Sequence, residues 1–341
     1  MSNTDMRSLH TLPVEFVYRI LDNLSLSNIV CSLLNVCTKL NGIVKTYHRN
    51  ETFTRLSITM KHITDTGAQY VATVLRNNTT LIELDLQQNR IGDAGAQSLA
   101  EAILQNKAII LIYSPFTLTE LNLHYNRIGT PGAQYLAEAL RHNETLTELY
   151  FAHNSIGDVG AQYIADALQD NKTLTRLILG RNQIGDAGAQ YLADALRHNK
   201  ALIDLSLGDD PIGDAGAQCL ADALRHNKTL TEFSFDSDQI GATGAQYLAD
   251  ALQDNKTLTK LSVGGKQIGA VGAKYFADAL QNNETLKLFY LQDSNIGYTG
   301  AQYLADALRH NKTLWTVLIS RMNNISSSLL EKLKQQDSRF T

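Results

Sequence analysis

The feature that most constrains this chain is a period of 28 residues. Leu146, Leu174, Leu202, Leu230, Leu258 and Leu286 follow one another at that spacing, and the segments between them are near copies. No such segment carries enough apolar surface to close on itself, so each must bury one face against its neighbours. The unit from Leu174 reads LTRLILGRNQIGDAGAQYLADALRHNKA. Leu174, Leu177 and Leu179 open it, and the last two alternate as on a strand with one buried face. Ile184-Gly185 then turns the chain, and Ala189, Leu192, Ala193 and Leu196 form the apolar stripe of a helix. Stacking such units predicts a parallel sheet with helices packed outside it. Strands sit about 4.8 Å apart and helices are wider, so the stack curves with its strands on the inside.

The joints between elements fit this plan. Asp93, Asp158, Asp186 and Asp214 stand where a helix N-cap belongs. Thr130-Pro131 places a capping residue before a proline at the first helical position. A glycine recurs beside each helix start, as at Gly132, Gly188 and Gly216, which predicts a close approach there. The asparagines that end the helices (Asn171, Asn199, Asn227) suit a left-handed C-terminal cap.

Eight regular units run from Leu81 to Thr313, and Phe53 to Thr80 is a weaker one, giving about nine. Ser326 to Gln336 predicts a polar-faced helix within a C-terminal cap, 314–341. Ile109 to Thr117 are nine residues in excess of the period, expected as an apolar loop folded onto adjacent units, with a partner-contacting loop as the alternative. Residues 1–50 do not repeat and are expected to form a separate helical module ahead of a solenoid, 51–341.

The pattern LxxLxLxxNxIG followed by GAxxLAxAL, over about 260 residues, resembles leucine-rich repeats of the ribonuclease-inhibitor type, also found in NOD-like receptors. The resemblance implies an α/β horseshoe with parallel strands inside and helices outside. The asparagine of position 9 is present at Asn89, Asn126, Asn154 and Asn182. It becomes Asp210, Asp238, Lys266 and Ser294 later, which predicts less regular inner turns in the C-terminal half.

Helix and turn residues barely vary between units, whereas the inward strand positions do. Position 5 reads Asp85, Asn122, Tyr150, Ile178, Ser206, Ser234, Ser262, Tyr290, and position 8 is equally mixed. Drift at exposed sites would produce the same contrast. If the concave face binds a protein, Tyr125, Tyr150, His153, Ile178 and Arg181 supply the aromatic and arginine side chains that dominate interfaces. Asp209, Asp210, Asp236 and Asp238 would then form an acidic patch favouring a basic surface, with Glu120, Glu148, Asp204 and Glu232 added at position 3.

The net charge of −4, with Lys and Arg spread along the repeats, points to neither nucleic acid nor a membrane surface as partner. No signal segment or membrane span is read, and three cysteines in unrelated contexts build no disulfide framework, so a cytoplasmic protein is expected, with the nucleus as the other compartment. His142, His198, His226 and His310 fall one per unit and do not converge on a metal. Gly264-Gly265-Lys266 lacks the spacing of a phosphate loop. No catalytic set, metal or cofactor is expected.

Residues His10 to His48 predict three short helices. Leu12, Pro13, Glu15, Ile20, Leu21, Leu24, Val36 and Cys37 resemble the F-box, while Leu40 replaces a tryptophan common after Val-Cys, and Asn28 lies near where an acidic residue is usual. That resemblance implies docking of Leu12, Pro13, Ile20, Leu24, Val36 and Cys37 onto the adaptor of a cullin-type (SCF-like) ubiquitin ligase, with the repeats holding its substrate. The other reading is a free-standing binder, like ribonuclease inhibitor or a NOD-like sensor, whose first helices only cap the solenoid.

Overall fold

The computed structural model describes residues 54–76, 78, 80–113, 118–319 and 323–340. The F-box-like residues Leu12, Pro13, Ile20, Leu24, Val36 and Cys37 lie outside that range, as does the end of the insertion, 114–117. Strands and helices alternate throughout: β1 (Arg55–Ser57), α1 (Asp65–Arg76), β2 (Glu83–Asp85), α2 (Asp93–Tyr113), β3 (Glu120–Asn122), α3 (Thr130–His142), β4 (Glu148–Tyr150), α4 (Gly157–Asp170), β5 (Arg176–Ile178), α5 (Asp186–His198), β6 (Asp204–Ser206) and α6 (Asp214–His226). They continue with β7 (Glu232–Asp236), α7 (Ala242–Asp254), β8 (Lys260–Gly264), α8 (Gly269–Asn282), β9 (Leu288–Gln292), α9 (Gly297–His310), β10 (Thr316–Leu318) and α10 (Ser327–Gln336).

The strands form one ten-stranded sheet whose spatial order is the order of the sequence. Every pair is parallel and in repeat register, as at Leu149, Leu177 and Leu205. This is the leucine-rich-repeat α/β solenoid. Strand leucines and helix residues such as Leu192, Ala193 and Leu196 pack into one continuous core, in which Phe151, Phe233, Phe235, Phe276, Phe289 and Phe340 are the largest fully buried side chains. Among the described residues no helix is long and apolar enough to cross a membrane.

The joints hold by a different route from the one the sequence suggests. Asp186 is not the cap of its own helix: Gly185 is, in an extended conformation with no side-chain cap bond. The Asp186 Oδ1 instead accepts from Gly213 N (2.7 Å) and Gly216 N (2.9 Å), so it caps the following helix. Asp65, Asp93, Asp158 and Asp214 do the same for the next unit. Thr130 likewise sits inside α3 behind the cap Gly129, and its hydroxyl donates to Ile156 O of the next unit (2.7 Å). The close approach expected at the glycines is there, since a Cβ on Gly216 would lie 2.4 Å from Ile212 Cγ2 and 2.7 Å from Asp186 Oδ1.

The helix-ending asparagines are extended, with Asn171 at φ −72° and ψ 132°, and make no left-handed cap. They are buried links between units. Asn227 Nδ2 donates to Leu196 O (2.7 Å) and Asn199 O (3.3 Å) of the preceding unit, while its Oδ1 accepts from Leu230 N (2.7 Å) and Thr229 N (2.9 Å). Side-chain amides thereby saturate the orphan carbonyls of one helix end and the N–H groups entering the next strand.

The chain's end copies this link. Arg339 stands 28 residues after Asn311, and its guanidinium donates to Asn311 O (2.7 Å) and Leu308 O (2.5 Å), the contacts an asparagine of a further unit would make. Asp337 holds it in place (2.5 Å), and Phe340 beside it is buried. Helix α10 precedes this tail, with Ser326 Oγ accepting from Leu329 N at its start.

The insertion departs from expectation. Residues 109–113 are not loop but the last turns of α2, which runs to Tyr113. The run Ile109–Tyr113 holds no helix breaker until Ser114-Pro115, where the residue before proline disfavours helix. The asparagine ladder changes at this joint: Asn143 Nδ2 donates to Thr145 Oγ1 (3.3 Å), and among the described residues it has no bond to the preceding helix end. A cavity of about 10 Å³, lined by Ile103, Leu121, Leu136, Leu140 and Leu149 among others, lies at the same place.

Candidate partner-binding face

On β1 to β6 the middle residue of each strand is buried and the flanking ones, positions 3 and 5, stay partly accessible on the inner face. Strict register then stacks position 3 of successive units side by side: Glu83, Glu120, Glu148, Arg176, Asp204, Glu232, Lys260. Charges of one sign about 4.8 Å apart repel, and the chain answers with interleaved cations. Arg55 pairs with Glu83, Arg176 bridges Glu148 (3.0 Å) and Asp204 (2.9 Å), and Lys260 pairs with Glu232 (2.9 Å). Among the described residues no cation pairs with Glu120. Burial, then Glu83 and Glu148, pushes its carboxyl above the usual range.

Tyr150 belongs to this network. Its hydroxyl donates to Glu148 Oε2 (2.5 Å) and accepts from Arg176 (3.3 Å), so burial and the Glu148 carboxylate raise its pKa. Ile178, half-buried, follows Tyr150 in register on β5. Arg176 is the residue that sequence reasoning missed. Its signal was available, as the one basic side chain within the acidic run of position 3 from Glu83 to Glu232.

Tyr125, His153, Arg181 and Asp209 form a second row. These position-8 residues leave the strand in the left-handed region, from φ 54° at Tyr125 to 60° at Asp209. Such a conformation costs a non-glycine residue about 1–2 kcal/mol. It is offset by bonds to the next unit, Tyr125 N to Ala152 O (3.0 Å), His153 N to Gly180 O (2.9 Å) and Arg181 N to Gly208 O (2.9 Å). The result is a line of side chains along the sheet edge. The Tyr125 and His153 rings stack at 3.7 Å, and Arg181 pairs with Asp209 at 2.8 Å. Burial and the adjacent Arg181 lower the His153 pKa. His124 joins the two rows: its ring meets Tyr150 edge-on at 5.5 Å, and its Nδ1 accepts from Ala152 N (2.8 Å). Burial lowers its pKa, and the accepting Nδ1 also requires the neutral ring.

The four aspartates expected as one patch are placed differently. Asp210 is buried at 2% exposure, its Oδ1 accepting from Asn182 N (2.7 Å) and Ile184 N (3.1 Å). Asp209 is paired with Arg181, and Asp238 with Lys266 (2.5 Å). Asp236 is half-buried, and burial, then Asp209 and Asp293, pushes its carboxyl up to about 6. It lies where position-7 glycines leave room, as a Cβ on Gly264 would approach Asp236 Oδ1 to 2.7 Å. Gly265 is needed because a Cβ there would meet Ile240 Cγ2 at 2.2 Å.

The leucine-rich repeat family model matches residues 77–100, 114–137, 142–165 and 170–193. A chain of the yeast Rad7–Elc1 complex aligns with 99% of this chain and 87% of its own, with a TM-score of 0.57 and 13% identity. The tropomodulin C-terminal domain of Caenorhabditis elegans aligns with 44% of this chain and 92% of its own, at TM-score 0.36 and 16% identity. Actin-binding site 2 of leiomodin-1 aligns with 60% and 90%, at 0.34 and 18%. No curated protein matches by sequence.

Proposed function

We propose that this chain is a non-catalytic scaffold whose concave face holds a protein partner, with Tyr150, Arg176 and Glu120, which pairs with no cation among the described residues, at the centre of the contact. One observation carries this: the repeat spends its invariant side chains on stacking and leaves a connected, accessible set of Glu148, Tyr150, Arg176 and Asp204 that stacking does not require. Tyrosine and arginine are the side chains that most often dominate interfaces. The carboxylate of Glu120, crowded by two others, favours a lysine or arginine from the partner. Tyr125, His153, Ile178, Arg181, Asp209 and Asp236 lie on the same face and extend the contact.

Within this reading the chain is the substrate-recognition subunit of a cullin-type (SCF-like) ubiquitin ligase. Support comes from the F-box-like residues Leu12, Pro13, Ile20, Leu24, Val36 and Cys37 ahead of the repeats. The chain of the same fold in the Rad7–Elc1 structure is part of a complex of two proteins.

Two comparisons test the proposal. Proteins captured by the wild type are expected to be lost with Tyr150→Ala, Arg176→Ala and kept with Tyr191→Ala on the outer helices; equal capture by all three would end the concave-face reading. Separately, the cullin adaptor is expected to bind the wild type and to lose at least tenfold in affinity with Leu12→Ala, Pro13→Ala. A wild type that does not bind the adaptor returns the chain to a free-standing scaffold.

A further inference from the structure

Position 9 ties consecutive inner turns together, and at Asp210 the tie changes chemistry. In Asn154 the amide Nδ2 donates to Leu123 O (3.0 Å) and Phe151 O (3.1 Å), while Oδ1 accepts from Ile128 N (3.0 Å). Asn182 Nδ2 repeats the donor half, to Phe151 O (2.9 Å) and Leu179 O (2.6 Å). The slot therefore asks for an acceptor on one side and a donor on the other. Asp210 fills the acceptor side through Oδ1, with Asn182 N and Ile184 N. Its Oδ2 is buried and has no hydrogen-bond partner among the described residues. By repeat position, that oxygen stands where Nδ2 would face the carbonyls of Leu179 and Leu207. A carboxylate there sets negative charge against carbonyl oxygens, whereas a carboxylic acid can donate to them.

We propose that Asp210 carries a proton on Oδ2 and substitutes for asparagine, which makes this joint a pH-sensitive link in the solenoid. Its surroundings agree. Burial pushes the carboxyl up to about 6 against the pull of the Ile184, Asn182 and Gln183 N–H groups, and Asp209 adds to the rise. The charged groups around it are Asp209, paired with Arg181, and on the following turn Asp236 and Asp238, the latter paired with Lys266. The joint is also a boundary. Beyond it position 9 becomes Asp238, Lys266 and Ser294, and β7, β8 and β9 lengthen to five residues, so strand pairing takes over the joining of turns. Asn323 resumes the tie at the far end, donating to Leu291 O (2.6 Å).

The folded-state pKa lies above the unfolded one, so this contribution to stability is present at low pH and is lost as pH rises through about 6. Urea unfolding of the full chain, wild type against Asp210→Asn, at pH 5 and pH 7.5 tests it. Asparagine already serves in this slot at four other units, so the variant folds. Asp236 titrates over the same range in both chains, and the ratio of their folding constants isolates Asp210. That ratio is expected to move about tenfold in favour of Asp210→Asn between pH 5 and pH 7.5. A ratio that does not change with pH, or a variant less stable than wild type at pH 7.5, overturns the proposal.

Discussion

Asp186 illustrates how much a single carboxylate sets in this fold. Where the preceding unit offers such an aspartate (Asp65, Asp93, Asp158, Asp186, Asp214), the next turn glycine is held by it. Where that position is Thr130, Ala242 or Ala270, the next glycine flips to the left-handed region, Gly157 at φ 65°, Gly269 at 60° and Gly297 at 61°. The helix then starts at that glycine, which donates instead to the neighbouring carbonyl, as Gly157 N does to Asn182 O (3.0 Å). Replacing Asp186 by Ala removes the acceptor for two N–H groups and is expected to cost about 1–2 kcal/mol in urea unfolding, the range of a helix cap. The aspartate and its capping chemistry were legible in the sequence. Its target was not, because capping rules refer a side chain to its own helix, and only the stacked structure brings Gly213 and Gly216 nearer.

At the scale of elements, strand and helix positions followed directly from the two periodicities, and the parallel sheet followed from the need to stack. The insertion was harder to read. An apolar run without a helix signature of its own could be loop or helix, and what decides is that nothing stops α2 before Ser114-Pro115. Its removal is a clean test of the ladder. Deleting 109–117 restores the period, placing Asn106 at 28 residues before Asn143. The expected product is a folded chain whose thermal midpoint equals or exceeds that of the wild type, since Asn143 regains a partner helix end. A drop of more than about 4 °C, about 3 kcal/mol at this size, would mean that the insertion supports the joint.

The whole molecule separates two tasks. Asparagine, aspartate, glycine and leucine at fixed positions join one unit to the next, and Arg339 closes the series with the same bonds. Positions 3, 5 and 8 are left to vary and carry the charged and aromatic rows of the inner face. The sequence revealed which positions vary; it could not show that Tyr125, His153 and Arg181 leave the strand in a left-handed conformation, nor that Asp210 turns inward, because both depend on bonds from the neighbouring unit. The most direct measurement is hydrogen–deuterium exchange of the chain with and without a captured partner. Slowed exchange is expected in the peptides that hold β3 to β6 and the position-8 residues Tyr125, His153 and Arg181, with α3 to α6 unchanged. Protection confined to the helices, leaving those strands untouched, would contradict the account.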